Sequence, residues 1–265
     1  MERKAVQEET SDEQKKVTLT LSSQTESSIR TLITSAYRQG YDIVTVQFDD
    51  PEKLRILEGV VERNLIGFEV TKKESNTCTV ECVAELTKEQ FDLRFPKIFL
   101  HIKELFVVVR ACAKNRSQEG LNEIKTIEAR IQSCDNLCRR VMKKHQLFTD
   151  NAYSYWVFRS LLMHGQREIY HAIQRAERVW SDGALLLLLS AEEMFLLLER
   201  AYNGKDIEGL GVVHDQEKVT IYEEGYPLLE NIPQGEAGVR HHLLSSVRQF
   251  YLANSPLTAF LLTQS

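Results

Sequence analysis

Apolar and polar residues change their rhythm once along this chain, near residue 87. Before that point, short alternating stretches and short helical ones take turns. Val17, Leu19 and Leu21 alternate with threonines and so share one face of a strand. Ile29, Leu32, Ile33 and Ala36 then recur at helical spacing. Ser22, Ser23 and Thr25 offer capping oxygens before them, and Gly40 sits where a C-cap glycine belongs. Residues 41–48 return to strand propensity. Asp49, Asp50 and Pro51 open a second helix, with Leu54, Leu57, Val60 and Val61 on its buried side. Two further strands are expected at about 67–72 and 77–83, split by a turn at Glu74, Ser75 and Asn76. The predicted order is β-α-β-α-β-β, a small α/β domain over residues 17–86 in which two helices pack on a sheet.

From residue 88 to 265 the period is helical. Phe91, Phe95, Ile98, Phe99, Ile102, Leu105, Phe106 and Val109 step by threes and fours and mark one helix as far as Asn115. A second carries Leu121, Ile124, Ile127, Ile131, Cys134, Leu137, Cys138 and Val141. A third, from about Asp150, carries Tyr155, Trp156, Leu162, Ile169, Ala172, Ile173, Ala176 and Val179. Ser181, Asp182 and Gly183 break the chain, and a second trio follows at about 184–203, 207–229 and 235–263. The middle of 207–229 is weakly patterned and open to interruption, and Pro227 and Pro233 bound the last connection. The fold class is therefore α+β, with a six-helix antiparallel bundle built of two three-helix repeats.

The leucine-rich run at 184–198 is too short for a bilayer span, and Glu192 and Glu193 interrupt it. It reads as a core helix, with Leu185, Leu188, Leu189, Phe195 and Leu196 turned inward and both glutamates on the polar edge. No membrane span is expected.

Composition narrows the class. The chain has 265 residues, 43% of them hydrophobic and 27% charged, which is globular rather than disordered. Only 12 glycines and 5 prolines occur, as suits a helix-rich fold. A net charge of -5 argues against nucleic-acid binding by bulk charge. Residues 1–16 are polar, mixed in charge and free of an apolar core, so they read as a flexible arm rather than a leader. Five cysteines, an odd number, fit a reduced cytoplasm.

Candidate chemistry is sparse. Cys134 and Cys138 lie four apart within a helix, the wrong spacing for a zinc knuckle, and read as core packing, as do Cys78 and Cys82 in a strand. His164 and His171 lie seven apart with Glu168 between them. That is about 10.5 Å of helical rise, too far for both rings to reach one ion. A single adventitious ion at His164 and Glu168 stays open. His241 and His242 read as surface. No phosphate loop, dinucleotide fingerprint, nucleophile elbow or zinc-protease motif occurs, so the chain is not expected to be an enzyme. No catalytic, cofactor-binding or metal-ligating residue is assigned, and no cofactor is expected.

Three segments together resemble a known family. Ala36 through Val46 (AYRQGYDIVTV), Leu65 through Val70 (LIGFEV) and the long helix after Phe91 are similar to archaeal PhoU-like phosphate-uptake regulators. The resemblance implies a small α/β domain before a PhoU bundle of two three-helix repeats. It also implies a cytoplasmic regulator or scaffold that docks on proteins, among them a phosphate transporter's ATPase or a family member, and a homodimer. Two departures shape the expectation. Archaeal members commonly open with an AbrB-like DNA-binding hairpin, whereas only 16 residues precede the first strand here, so direct nucleic-acid binding is not expected. PhoU bundles often carry E-x-x-x-D metal motifs on the third helix of each repeat. Here the third helix offers only Glu168 and Glu177 beyond its first residue, and no acidic residue follows Glu236, so no metal cluster is expected. Two alternatives remain at this stage: a transcriptional regulator acting through dimerisation with a DNA-binding relative, and a metal-dependent bundle enzyme.

Overall fold

The computed structural model describes residues 14–21, 26–84, 86–230 and 232–264. The capping residues Ser22, Ser23 and Thr25 and most of the arm lie outside them. The class is α+β, a four-stranded sheet followed by a bundle-like helical region, with eight α-helices among the described residues. Two compact units divide it. The first takes the described residues up to Lys88 together with Asn136–Lys144, and the second takes Glu89–Asp135 and the residues from His145 on.

In the first unit the elements run β1 (Lys16–Leu21), α1 (Glu26–Arg38), β2 (Ile43–Phe48), α2 (Pro51–Asn64), β3 (Phe68–Lys73) and β4 (Thr77–Cys82). Lys16, placed by the pattern at the end of the arm, is the first residue of β1. The sheet order is β1-β2-β4-β3. β1 and β2 are parallel, joined through α1, while β4 runs antiparallel to both β2 and β3. Strand alternation sends Val44, Val46, Phe48, Cys78 and Val80 to the buried face, against Ile29, Ile33 and Tyr37 of α1 and Leu57, Val60 and Val61 of α2. Burial pushes the Cys78 thiol up to about 11. The caps follow the sequence. Asp50 accepts from the Glu52 N–H at the start of α2, and Gly40 takes φ +79° just past α1, a conformation that disfavours a side chain.

The nine residues Asn136–Lys144 complete this unit, although the sequence pattern alone assigns them to the bundle. Arg140 is the reason. Its Nη2 donates to Asp42 Oδ1 at 2.5 Å, and its Nη1 donates to the carbonyls of Tyr41 (2.7 Å) and Tyr37 (3.1 Å). The guanidinium lies over the Phe68 and Tyr37 rings, 4.6 and 5.2 Å from their centroids. Lys144 adds a second cation to Asp42 Oδ1 at 2.6 Å, and the Lys15 N–H donates to Oδ2 at 3.1 Å. Burial would raise the Asp42 pKa. The Lys144 and Lys15 hydrogen bonds and the Arg140 charge outweigh it and hold the carboxyl below its ordinary range.

The second unit holds α3 (Lys88–Asn115), most of α4 (Gln118–Lys144), α5 (Ala152–Arg175), α6 (Asp182–Gly204), α7 (Gly209–Glu217) and α8 (Ala237–Leu261). Its core is aromatic: Phe95 lies 5.5 Å from Tyr155 and 5.1 Å from Tyr202 between ring centroids, and Tyr155 lies 4.7 Å from Phe260. Arg159 is buried beside these rings and donates to Asp135 Oδ1 at 2.7 Å. α5 and α8 approach closely at Gly165, where a Cβ would collide with the Phe250 ring and where Ser246 donates to the Gly165 carbonyl at 2.9 Å.

Two helix boundaries differ from the pattern. α5 stops at Arg175, so Ala176 and Val179 lie beyond it. The chain turns there to bury Trp180, whose backbone N–H donates to the Ala113 carbonyl in the last turn of α3, a group the helix itself leaves unsatisfied. The weakly patterned stretch 207–229 is α7, a π-helical stretch (Lys218–Gly225) and a 3₁₀ turn (Pro227–Leu229).

Candidate docking surface

α3 is apolar on two sides. Phe91, Phe95, Ile98, Phe99, Ile102, Leu105 and Phe106 fill the core. Leu93, Leu100 and Val107 are 67%, 50% and 61% exposed. They are spaced by seven residues, two helical turns, so they form one line along the outer face. Three large apolar side chains in line on solvent are more than the scattered exposure usual for a surface.

α6 lies beside α3, and two ion pairs fix the relation. Arg110 Nη2 donates to both carboxylate oxygens of Glu192, at 2.6 and 2.7 Å, and Lys103 Nζ donates to Glu199 at 2.7 Å. Residue numbers rise on α3 as they fall on α6, so the two helices are antiparallel. On the other flank Glu193 accepts from Gln216 of α7 at 3.4 Å. Glu192 and Glu193 thus reach opposite neighbours, and the ridge between them faces solvent. It carries Leu186, Leu189, Glu193, Leu196 and Arg200. A shallow groove of about 290 Å³ opens on this ridge, lined by Leu189, Glu192, Glu193, Leu196 and Arg200. Beyond it Val212, Val219, Tyr222 and Tyr226 are also exposed.

The ridge corrects the reading of the leucine run. Leu188 and Phe195 are buried, as the pattern expects, but Leu189 is 45% exposed and Leu185 and Leu196 are half-buried. Consecutive residues step by 100°, so five leucines in a row cannot all face a core. Leu187, Leu188 and Ala191 take the inward arc. Glu192 is not simply at a polar edge, being drawn into the Arg110 pair.

The histidine cluster also differs in its partners. Glu168 is paired with His242 of α8, whose Nδ1 lies 2.7 Å from Oε2, and His164 is exposed. The His171 and His242 rings are 5.6 Å apart. Burial lowers the His171 pKa, with Glu168 pulling it up and His242, Arg167 and Arg175 pushing it further down. Among the described residues, no three histidine, cysteine or acidic side chains are grouped to hold a metal ion. Burial also raises the Cys134 thiol pKa. No described helix is long and apolar enough to cross a membrane.

His242 escaped sequence reasoning because its partner Glu168 is 74 residues away on another helix. The Leu93, Leu100 and Val107 line did leave a signal, a repeat of seven out of phase with the core positions. No family model matches the chain, nor does any curated protein or solved structure.

Proposed function

We propose that this chain is a non-enzymatic cytoplasmic regulator or scaffold, similar to PhoU-type regulators of phosphate uptake, that works by docking a partner on the outer face of α3. The observation that carries the reading is the exposed line of Leu93, Leu100 and Val107. A repeat of seven offers every second turn to an incoming amphipathic helix, the geometry by which helices dock lengthwise. The partner named by the family resemblance is the ATPase of a phosphate transporter. On this reading α3 to α5 form one three-helix repeat, and α6, the broken segment after it and α8 form the second. Their similar lengths, 28, 27 and 24 residues against 23 for α6 and 25 for α8, are compatible with a duplication.

The test is a binding titration between the purified chain and the purified ATPase subunit of the phosphate transporter from the same cell. Saturable binding, weakened ~10-fold or more by Leu100→Asp, is expected, since truncating a central apolar anchor commonly costs that much. Absence of saturable binding by the unaltered chain would overturn the reading.

A further inference from the structure

The groove on α6 has the form of a coiled-coil hole. Leu189, Glu192, Glu193 and Leu196 stand at positions i, i+3, i+4 and i+7, the four residues that surround a knob from a facing helix. Both flanks of α6 are occupied, by α3 through Glu192 and Glu199 and by α7 through Glu193, so the knob must come from above the ridge. We propose that it comes from α6 of a second copy, packed antiparallel about a two-fold axis between Leu196 and Leu197. This inference uses α6 and does not rest on the α3 reading above.

Charge complementarity selects this occupant. The exposed ridge carries Glu193 and Arg200, opposite charges seven residues apart with Leu196 between them. A two-fold axis at the centre of that interval sets Glu193 of each copy against Arg200 of the other, forming two identical ion pairs around an apolar middle. The same operation places Leu189 against Gly204, the last residue of α6, where the absence of a side chain admits close approach. No like charges meet along this ridge. A parallel pairing in register would instead set Glu193 on Glu193 and Arg200 on Arg200, which is repulsive. Self-complementarity under a two-fold axis is what an isologous dimer requires.

Sedimentation equilibrium on the full chain tests the pairing. The unaltered protein should dimerise. Glu193→Arg and Arg200→Glu should each raise the dimer dissociation constant ~10-fold or more, since each places like charges together twice. The double variant E193R/R200E should return it close to the unaltered value, because the pairs re-form with reversed sign. Both residues are exposed, and circular dichroism on each variant checks that the fold is kept. Leu196→Cys, next to the axis, should yield a disulfide-linked dimer on mild oxidation. A monomeric unaltered protein overturns the proposal, and so does a dimer indifferent to both single charge reversals or one that the double variant fails to restore.

Discussion

Each unit buries an arginine against an aspartate, and the two burials differ in kind. In the second unit Arg159 and Asp135 are 1% and 2% exposed and lie among aromatic rings. Arg159 donates there to both the Asp135 carboxylate and the Asp135 backbone carbonyl, with little water to screen the charges. In the first unit Asp42 has two cations, and Arg140 also donates to two backbone carbonyls. Lys144 is partly exposed and joins that cluster to solvent. The enclosed pair demands an intact partner on each side, because taking a charge out of water costs several kcal/mol unless it is matched. The cluster has alternatives when one member is lost. Its anion also ties together residues 98 positions apart in sequence, whereas the enclosed pair spans 24.

That contrast predicts a graded series. Arg159→Met removes the guanidinium that donates to the buried Asp135 carboxylate and should lower unfolding free energy by about 3–5 kcal/mol in urea titration. Adding Asp135→Leu should recover most of that loss, as replacement of a whole buried pair by apolar residues commonly does. If the double variant is no better than the single, the pair carries stability of its own and the contrast is wrong.

Asp42→Asn should cost less, about 2–3 kcal/mol at neutral pH, the scale of hydrogen bonds to charged groups. Arg140 retains its carbonyls and Lys144 can turn to water. The folded carboxyl titrates below its unfolded value of about 3.9. Its contribution is therefore present above that pH and is lost as pH falls through the lowered folded value. Denaturation curves of the variant and the unaltered protein should converge in acid, and a gap that persists at the lowest pH would point to shape rather than charge.

The smallest effect belongs to the half-buried histidines between α5 and α8. The folded His171 resists a proton that the unfolded chain accepts near pH 6.5. Stability should fall as pH drops below about 6.5, by an amount smaller than at either arginine. His171→Gln should flatten this limb while leaving the Glu168–His242 pair in place. An unchanged slope would assign the limb to another group.

Much of this molecule is legible from local pattern. The alternation of Val17, Leu19 and Leu21, the cap at Asp50 and the glycine at 40 all act within a few residues, so sequence neighbours suffice to read them. The same holds for the inward face of α3. What escaped shares one property. Arg140 lies within the unbroken helical pattern of α4, and nothing local marks that its charge belongs with Asp42. Ala176 and Val179 keep helical spacing, yet the helix has ended, because the Trp180 backbone N–H is committed to a carbonyl on α3. Glu168 has two histidines on its own helix and pairs with one on another.

By itself, the sequence determined the order of the strands and most of the helices, the caps at Gly40 and Asp50, and which side of many elements is apolar. Those follow from backbone dihedral preference and from periods of two and 3.6, which operate over one or two turns. Only the tertiary structure decided which charges are matched, where α5 ends and which leucines of α6 remain in water. A buried charge or an unsatisfied carbonyl must find a partner wherever packing places one, and packing brings together residues that the chain keeps far apart.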